Sequence, residues 1–232
     1  MVPIKIMDDV AVVSCGSWGH TAAVKTDGSL WMWGDNRCGE LGNGYVGNEE
    51  VDSGYRNGNE PLTYPIQDIP VKVMDNVASV SCGNKHTAAI KNDGSLWTWG
   101  GNEEGQLGND RKYNADNWPV ASKYQTIPVK VLDCVASVSC GSGYTAAVKT
   151  DSSLWMWGDN MFGQLGSANG NKVINIGHGD FSTQTVPIEL MNKVLSVSCG
   201  DFQTFVVKTD GSVWGCGVND SGQLGNGGKY DS

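Results

Sequence analysis

One motif written four times constrains this chain more than any other feature of it. Val-Ser-Cys-Gly recurs with its cysteine at Cys15, Cys82, Cys140 and Cys199, at spacings of 67, 58 and 59 residues. A Leu-Trp or Val-Trp pair follows each copy, at Trp31, Trp97, Trp155 and Trp214. The cysteine-to-tryptophan gap is 15 residues in three copies and 16 in the first, whose turn Gly16-Ser17-Trp18-Gly19-His20 holds the extra residue. Repetition at this fidelity means one supersecondary unit copied along the chain, and such units bury their faces by stacking on one another. The 232 residues therefore read as a single repeat domain, 1–232, with copies over about 1–69, 70–127, 128–186 and 187–232.

Each copy reads as four short strands, clearest in the second: Pro70 to Met74, Val77 to Cys82, Thr87 to Lys91 and Leu96 to Gly100. Ala78, Val80 and Cys82 alternate with Val77, Ser79 and Ser81, the period of two that a strand imposes. Asp27-Gly28, Asp93-Gly94 and Asp210-Gly211 stand between the third and fourth strands and predict two-residue type I′ hairpins. The third copy has Asp151-Ser152 instead, where a serine has to hold left-handed backbone at a cost of about 1 kcal/mol. Pro3, Pro70, Pro128 and Pro187 open the first strand of their copies and place it at a sheet edge, because proline has no donor for a ladder. Four-stranded antiparallel units at this period predict an all-β fold of β-propeller-type blades. Nine tryptophans suit the gaps between stacked sheets.

The string Cys82-Gly83-x-x-His86-Thr87-Ala88-Ala89, then Asp93-Gly94-Ser95-Leu96-Trp97-x-Trp99-Gly100, then Asn102-x-x-Gly105-Gln106-Leu107-Gly108 resembles the repeat of the regulator of chromosome condensation family. The resemblance spans essentially the whole chain and implies propeller blades, of which typical members carry about seven. Closing a ring with only four would turn each blade about 90°, and tightly packed cores repack reluctantly. An open arc is therefore expected rather than a closed ring, with self-association through the blade faces it leaves exposed. The family spans unrelated functions, so the resemblance implies the fold more narrowly than the activity. In its ultraviolet-sensing branch the sensing tryptophans lie in a Gly-Trp-Arg-His-Thr turn. Here that turn holds Trp18 and no arginine.

The composition excludes several partners. Lys+Arg number 16 against Asp+Glu 25, a net −9, which disfavours a nucleic-acid binder that must displace phosphate counterions. No apolar run approaches the ~18 residues of a membrane span, and the start lacks a signal-peptide core. Seven cysteines, an odd number, show no Cys-x-x-Cys or Cys/His cluster. They read as small core residues in a reducing, cytoplasmic compartment, unless an upstream leader makes the protein a secreted one. His20 and His86 share one repeat position, filled by Tyr144 and Gln203 in the other copies, so they are expected to cap a turn rather than act as catalytic bases. Asn36, Asn102, Asn160 and Asn219, each followed by Gly and Leu, are expected to tie down a turn. No catalytic motif, cofactor cradle or metal ligand set is present, and no enzymatic activity is expected.

What differs between copies points to binding. Insertions over 45–69, 109–127 and 167–186 are polar and carry Tyr45, Tyr55, Tyr64, Tyr113, Trp118, Tyr124 and Phe181. If the repeat register holds, all three emerge from one face. Aromatic side chains on loops over a rigid scaffold suit protein recognition. The reading is a non-enzymatic protein-binding scaffold. The alternatives are a guanine-nucleotide exchange factor for a small GTPase, the role the resemblance implies, or a secreted bacterial adhesin or inhibitor.

Overall fold

The repeats fold as the alternation dictates, into four antiparallel sheets. The structure, a computed structural model, describes residues 2–45, 66–110, 123–166 and 183–228. The first sheet runs β1 (Val10–Cys15), β2 (His20–Lys25), β3 (Leu30–Asp35), β4 (Ile66–Met74). The second runs β5 (Val77–Cys82), β6 (His86–Lys91), β7 (Leu96–Gly101), β8 (Tyr124–Leu132), and the third β9 (Val135–Cys140), β10 (Tyr144–Lys149), β11 (Leu154–Asp159), β12 (Thr183–Met191). The fourth has three strands among the described residues, β13 (Val194–Cys199), β14 (Gln203–Lys208) and β15 (Val213–Gly217).

This grouping moves one strand of each repeat. The proline strand was expected to open its own copy, but it pairs with the tryptophan strand before it, in the register Leu30↔Met74, Trp31↔Lys72 and Met32↔Val71. Pro70, Pro128 and Pro187 accordingly sit in the middle of the outer strand of the preceding sheet, an edge position where a missing donor is tolerated. The cause is the next turn. Asn76, Cys134 and Lys193 adopt φ of 60, 59 and 63°, so the chain leaves each outer strand through a left-handed residue and starts the next sheet rather than a hairpin. Asp9 has the same conformation at φ 59°, but Val2 to Met7 form no strand, so Pro3 opens none.

The Asp-Gly turns also differ in type. Gly28 N–H donates to Lys25 O and Lys25 N–H to Ser29 O, which encloses three residues, and only Gly28 of the three has positive φ. This is a type I turn closed by a glycine bulge, the three-residue solution to the same chain reversal. Asp27 Oδ1 accepts from both the amide and the hydroxyl of Ser29, and Ser29 Oγ in turn accepts from Trp31 Nε1, which explains the recurring Asp-Gly-Ser-x-Trp string. Ser152 holds φ 67° in the third copy, as expected of it.

The core lies between sheets. Ala22, Leu30, Met32 and Leu41 of the first unit pack on Val77, Val80, Cys82 and Trp99 of the second, and the other junctions repeat the pattern. Polar bonds fix the stacking register. Cys82 N–H donates to Ser14 Oγ, Cys140 N–H to Ser81 Oγ and Cys199 N–H to Ser139 Oγ. Trp99 Nε1 donates to Glu40 O and Trp157 Nε1 to Gln106 O; Cys216, which replaces the tryptophan in the last copy, sets its sulfur against Gln164 O. A Cβ on Gly42 or Gly108 would fall 2.7 Å from the indole nitrogen it faces, so the Leu-Gly turn needs its glycine. The four sheets form an open arc of propeller blades.

Candidate functional site

The inserted segments leave and rejoin their sheets at one end. Their return strands begin opposite the last residues of the tryptophan strands, at Asp35↔Ile66, Gly101↔Tyr124 and Asp159↔Thr183. The turns before β2, β6, β10 and β14 and the asparagine turns after each tryptophan strand lie at this same end. Asn36 Oδ1 accepts from Leu41 N–H, and Asn102, Asn160 and Asn219 repeat that bond to Leu107, Leu165 and Leu224. The asparagines are turn ties, as their spacing predicts.

Of the aromatic residues expected to bind, Tyr45 is exposed at the first loop mouth, its carbonyl held by Asn36 Nδ2, and Tyr124 is half-buried at the start of β8. Tyr55, Tyr64, Tyr113, Trp118 and Phe181 lie outside the described residues. The structure adds a set of side chains that loop composition did not single out. Trp18 is 46% exposed, with Arg37 Cζ 5.4 Å and Lys85 Nζ 4.5 Å from its ring centroid. Arg37 is paired with Asp35, and Lys85 lies 3.3 Å from Glu103. The turn holding Trp18 contains no arginine; the cations come from the asparagine turn of the same blade and from the next blade. Two blades further on, Phe162 and Phe202 meet edge to face at 5.1 Å beside exposed Met161. The sequence signal is divergence in the turn before each second strand, which carries Trp18 and Gly19 in the first copy and Lys85, Gly143 and Phe202 in the others.

Beneath this rim the titratable groups are structural. His20 and His86 are fully buried, and burial lowers them to about 4 and about 3. They do not cap their own turns. His86 Nε2 reaches across the junction to Thr145 Oγ1 at 2.9 Å, because the ring lies over Gly83, where no side chain blocks it. The His20 ring faces the backbone of His86, and neither of its nitrogens meets a partner at hydrogen-bond geometry among the described residues. Tyr144, in the same repeat position, donates its hydroxyl to Gln203 O at 2.6 Å. Burial pushes Cys82 and Cys199 up to about 12 and raises Cys140 as well, so these thiols are core groups rather than nucleophiles.

Stacked antiparallel blades of one repeated unit define a protein of the repeat-propeller class. The RCC1-like domain family matches residues 2–232, and the chain belongs to it. Among curated relatives, the mitochondrial RCC1 domain-containing protein RUG3 of Arabidopsis thaliana is 33% identical over 73% of this chain and 36% of its own length. The ultraviolet-B receptor UVR8 of the same plant is 29% identical over 99% of this chain and 46% of its own. Among solved structures, yeast RCC1 (Prp20), determined with Kap60 bound, covers the whole chain at a TM-score of 0.76 and 19% identity, using 49% of its own length. Human WBSCR16 covers 99% at 0.73 and 21% identity, using 53% of its length. The chain thus spans about half, or less, of the proteins it matches.

Proposed function

We propose that this chain is a non-catalytic scaffold that binds another protein across the loop-bearing end of its blades. The observation that carries the reading is the exposed set Trp18, Met161, Phe162 and Phe202 beside the three loop mouths. Aromatic residues, methionine and arginine are the types enriched in protein interfaces. Arg37 and Lys85 hold the Trp18 ring in place, which lowers the entropy lost when a partner covers it.

The test compares proteins captured by the wild-type chain with those captured by Trp18→Ala/Phe202→Ala and by Tyr55→Ala/Tyr113→Ala/Trp118→Ala. Truncating an anchor residue costs about 2 kcal/mol of binding or more, roughly a thirtyfold loss. At least one specific partner should drop out while the melting temperature stays within a few degrees. An unchanged capture profile from both variants would refute the reading. Nucleotide exchange on a small GTPase is the second reading, favoured by the 31% identity to the mouse X-linked retinitis pigmentosa GTPase regulator over 66% of this chain. Release of labelled GDP from a captured GTPase would separate it from plain scaffolding.

A further inference from the structure

The three blade junctions present three different rims at the loop-bearing end, and the middle one lacks the side chain that completes the first. We infer that the partner docks through a basic segment, one lysine or arginine entering between Glu104 and Asp159 and a neighbouring apolar side chain covering Phe162 and Phe202. The inference rests on the scaffold reading above and names the chemistry of the partner that this end accepts.

Each junction brings the same three positions together. One is the second residue after the asparagine of a blade; the others, in the next blade, stand just before the second strand and just before its asparagine. In the first junction these are Cys38, Lys85 and Gly101, in the second Glu104, Gly143 and Asp159, in the third Phe162, Phe202 and Val218. The backbone is alike in all three, with Gly101 N–H donating to Lys85 O at 2.7 Å, Asp159 N–H to Gly143 O at 2.9 Å and Val218 N–H to Phe202 O at 3.0 Å. Only the side chains change.

The first junction fills itself. Lys85 lies over Gly101, where an added Cβ would stand 3.1 Å from the Lys85 Cβ, and it carries its ammonium to 3.3 Å from Glu103 and 4.5 Å from the Trp18 ring centroid. The second junction has glycine at the lysine position and acids at the two others. A Cβ on Gly143 would fall 3.3 Å from Glu104 Cγ and 3.5 Å from Asp159 Cβ, so both acidic side chains flank the place that a lysine takes in the copy before. Asp159 is held there, because Oδ1 accepts Met161 N–H and Oδ2 accepts Gln164 Nε2, each at 2.9 Å. Two carboxylates rooted around one spot repel each other, and a cation between them relieves this while gaining charge-assisted hydrogen bonds.

Apolar surface adjoins the acids along the same turn. Met161, whose amide Asp159 holds, is 53% exposed, and Phe162 and Phe202 meet edge to face at 5.1 Å while 36% and 37% exposed. An aromatic pair beside methionine is the make-up of an interface anchor. Charge over the whole end agrees in sign. The turns before the second strands, the asparagine turns and the segments rooted after them (16–20, 35–69, 83–86, 101–127, 141–144, 159–186, 200–203 and 218–232) carry 16 of the 25 carboxylates. They carry only eight of the 16 basic side chains, so eight of the nine net negative charges belong to segments rooted at this end. Such a field steers a basic segment in and repels an acidic one. Both junctions lie between described blades, so the surface does not depend on what adjoins the first or the last.

The test pans a displayed library of random dodecapeptides against the 232-residue chain and measures the recovered peptide by fluorescence anisotropy on the chain and four variants. The peptides should be rich in lysine or arginine with an apolar residue close by, and binding should weaken as salt is raised. Gly143→Lys supplies the cation from within. Neither Gly143 nor Lys85 has positive φ, so the turn accepts lysine, and this variant should bind at least about tenfold more weakly. Phe162→Ala/Phe202→Ala should lose as much, and Glu104→Gln, which leaves the backbone untouched, about three- to fivefold. Asp75→Asn/Asp133→Asn removes two charges at the opposite end and should stay within about twofold of wild type. Peptides without basic residues that still depend on Phe162 and Phe202 would overturn the basic partner and leave the scaffold reading standing. No binder at all, binding indifferent to both Gly143→Lys and Glu104→Gln, or an equal loss from Asp75→Asn/Asp133→Asn would also overturn it, and the scaffold reading would then rest on the capture experiment alone.

Discussion

Replacing Glu40 by glutamine should stabilise this protein above neutral pH and leave it nearly unchanged in acid. Glu40 occupies the repeat position held by Gln106, Gln164 and Gln223. Its side chain does what theirs does: Oε2 accepts Cys38 N–H at 2.8 Å, as the three glutamine oxygens accept from Glu104, Phe162 and Ser221 at 2.9 Å. Glu40 is 1% exposed, and burial raises its pKa from 4.5 to about 7, with the Asp35 charge adding to the rise and the backbone bonds and Arg37 opposing it. A carboxyl whose folded pKa lies above its unfolded value binds its proton more tightly when folded. Stability is therefore fully present below pH 4.5 and is lost as pH rises through about 7. A gap of roughly 2.5 units at about 1.36 kcal/mol each sets a ceiling near 3 kcal/mol, and local relaxation leaves about 1–3 kcal/mol to recover. The amide keeps the acceptor and gains a donor, which in the third copy Gln164 gives to Asp159 Oδ2 at 2.9 Å. Asp35 stands at the matching place. The Thr87 and Trp99 bonds go to the Glu40 carbonyl and survive the change. For a chain of this length each kcal/mol moves the melting temperature by about 2–4 °C, so Glu40→Gln should melt about 2–12 °C higher at pH 8 and within about 1 °C of wild type at about pH 4, below the unfolded pKa. Scanning calorimetry at both pH values and one protein concentration measures this. An equal rise at both would assign the effect to packing rather than ionisation, and a fall at pH 8 would refute the argument outright.

The buried histidines act with the opposite sign. Their folded pKa values lie below the unfolded one, so their contribution is present above pH 6.5 and is lost as pH falls through about 4 for His20 and about 3 for His86. His86→Gln, which borrows the Gln203 solution, should flatten the loss of denaturation midpoint between pH 6 and 4. An undiminished acid slope would show that other groups govern it. Ser152→Gly should raise stability by about 1 kcal/mol by relieving left-handed backbone at φ 67°, the conformation that Gly28, Gly94 and Gly211 adopt in the other copies. Urea unfolding checks it, and a destabilised variant would mean that the serine side chain makes a compensating bond. Cys82, Cys140 and Cys199 should resist alkylation in the native chain and react only on unfolding, whereas Cys134 should react at once.

Much of this architecture was legible in the residues because it is local. Alternation in Val77 to Cys82, the Asp-Gly-Ser reversal and the asparagine turn each depend on atoms within a few positions of one another, and each appeared where expected. The candidate site was less legible. Trp18 was visible as a residue, but its cations arrive from Arg37, 19 positions on, and Lys85, 67 positions on, and only stacked blades bring them together. The same holds for His86, which bonds a threonine 59 residues away rather than its own turn.

Ownership of the proline strands shows where sequence alone stops. Two residues separate Met74 from Val77, and 30 separate Asp35 from Ile66, so proximity along the chain argues for pairing forward. The structure pairs backward. A left-handed residue at Asn76 throws the chain across to a new sheet, while the long insertion returns the outer strand to the edge of the old one. By itself the sequence determined the unit, its strands and the number of copies, since those follow from local backbone chemistry. Only the tertiary structure decided where one blade ends and the next begins, because that depends on which edge offers a strand its hydrogen bonds and a covered apolar face at the same time.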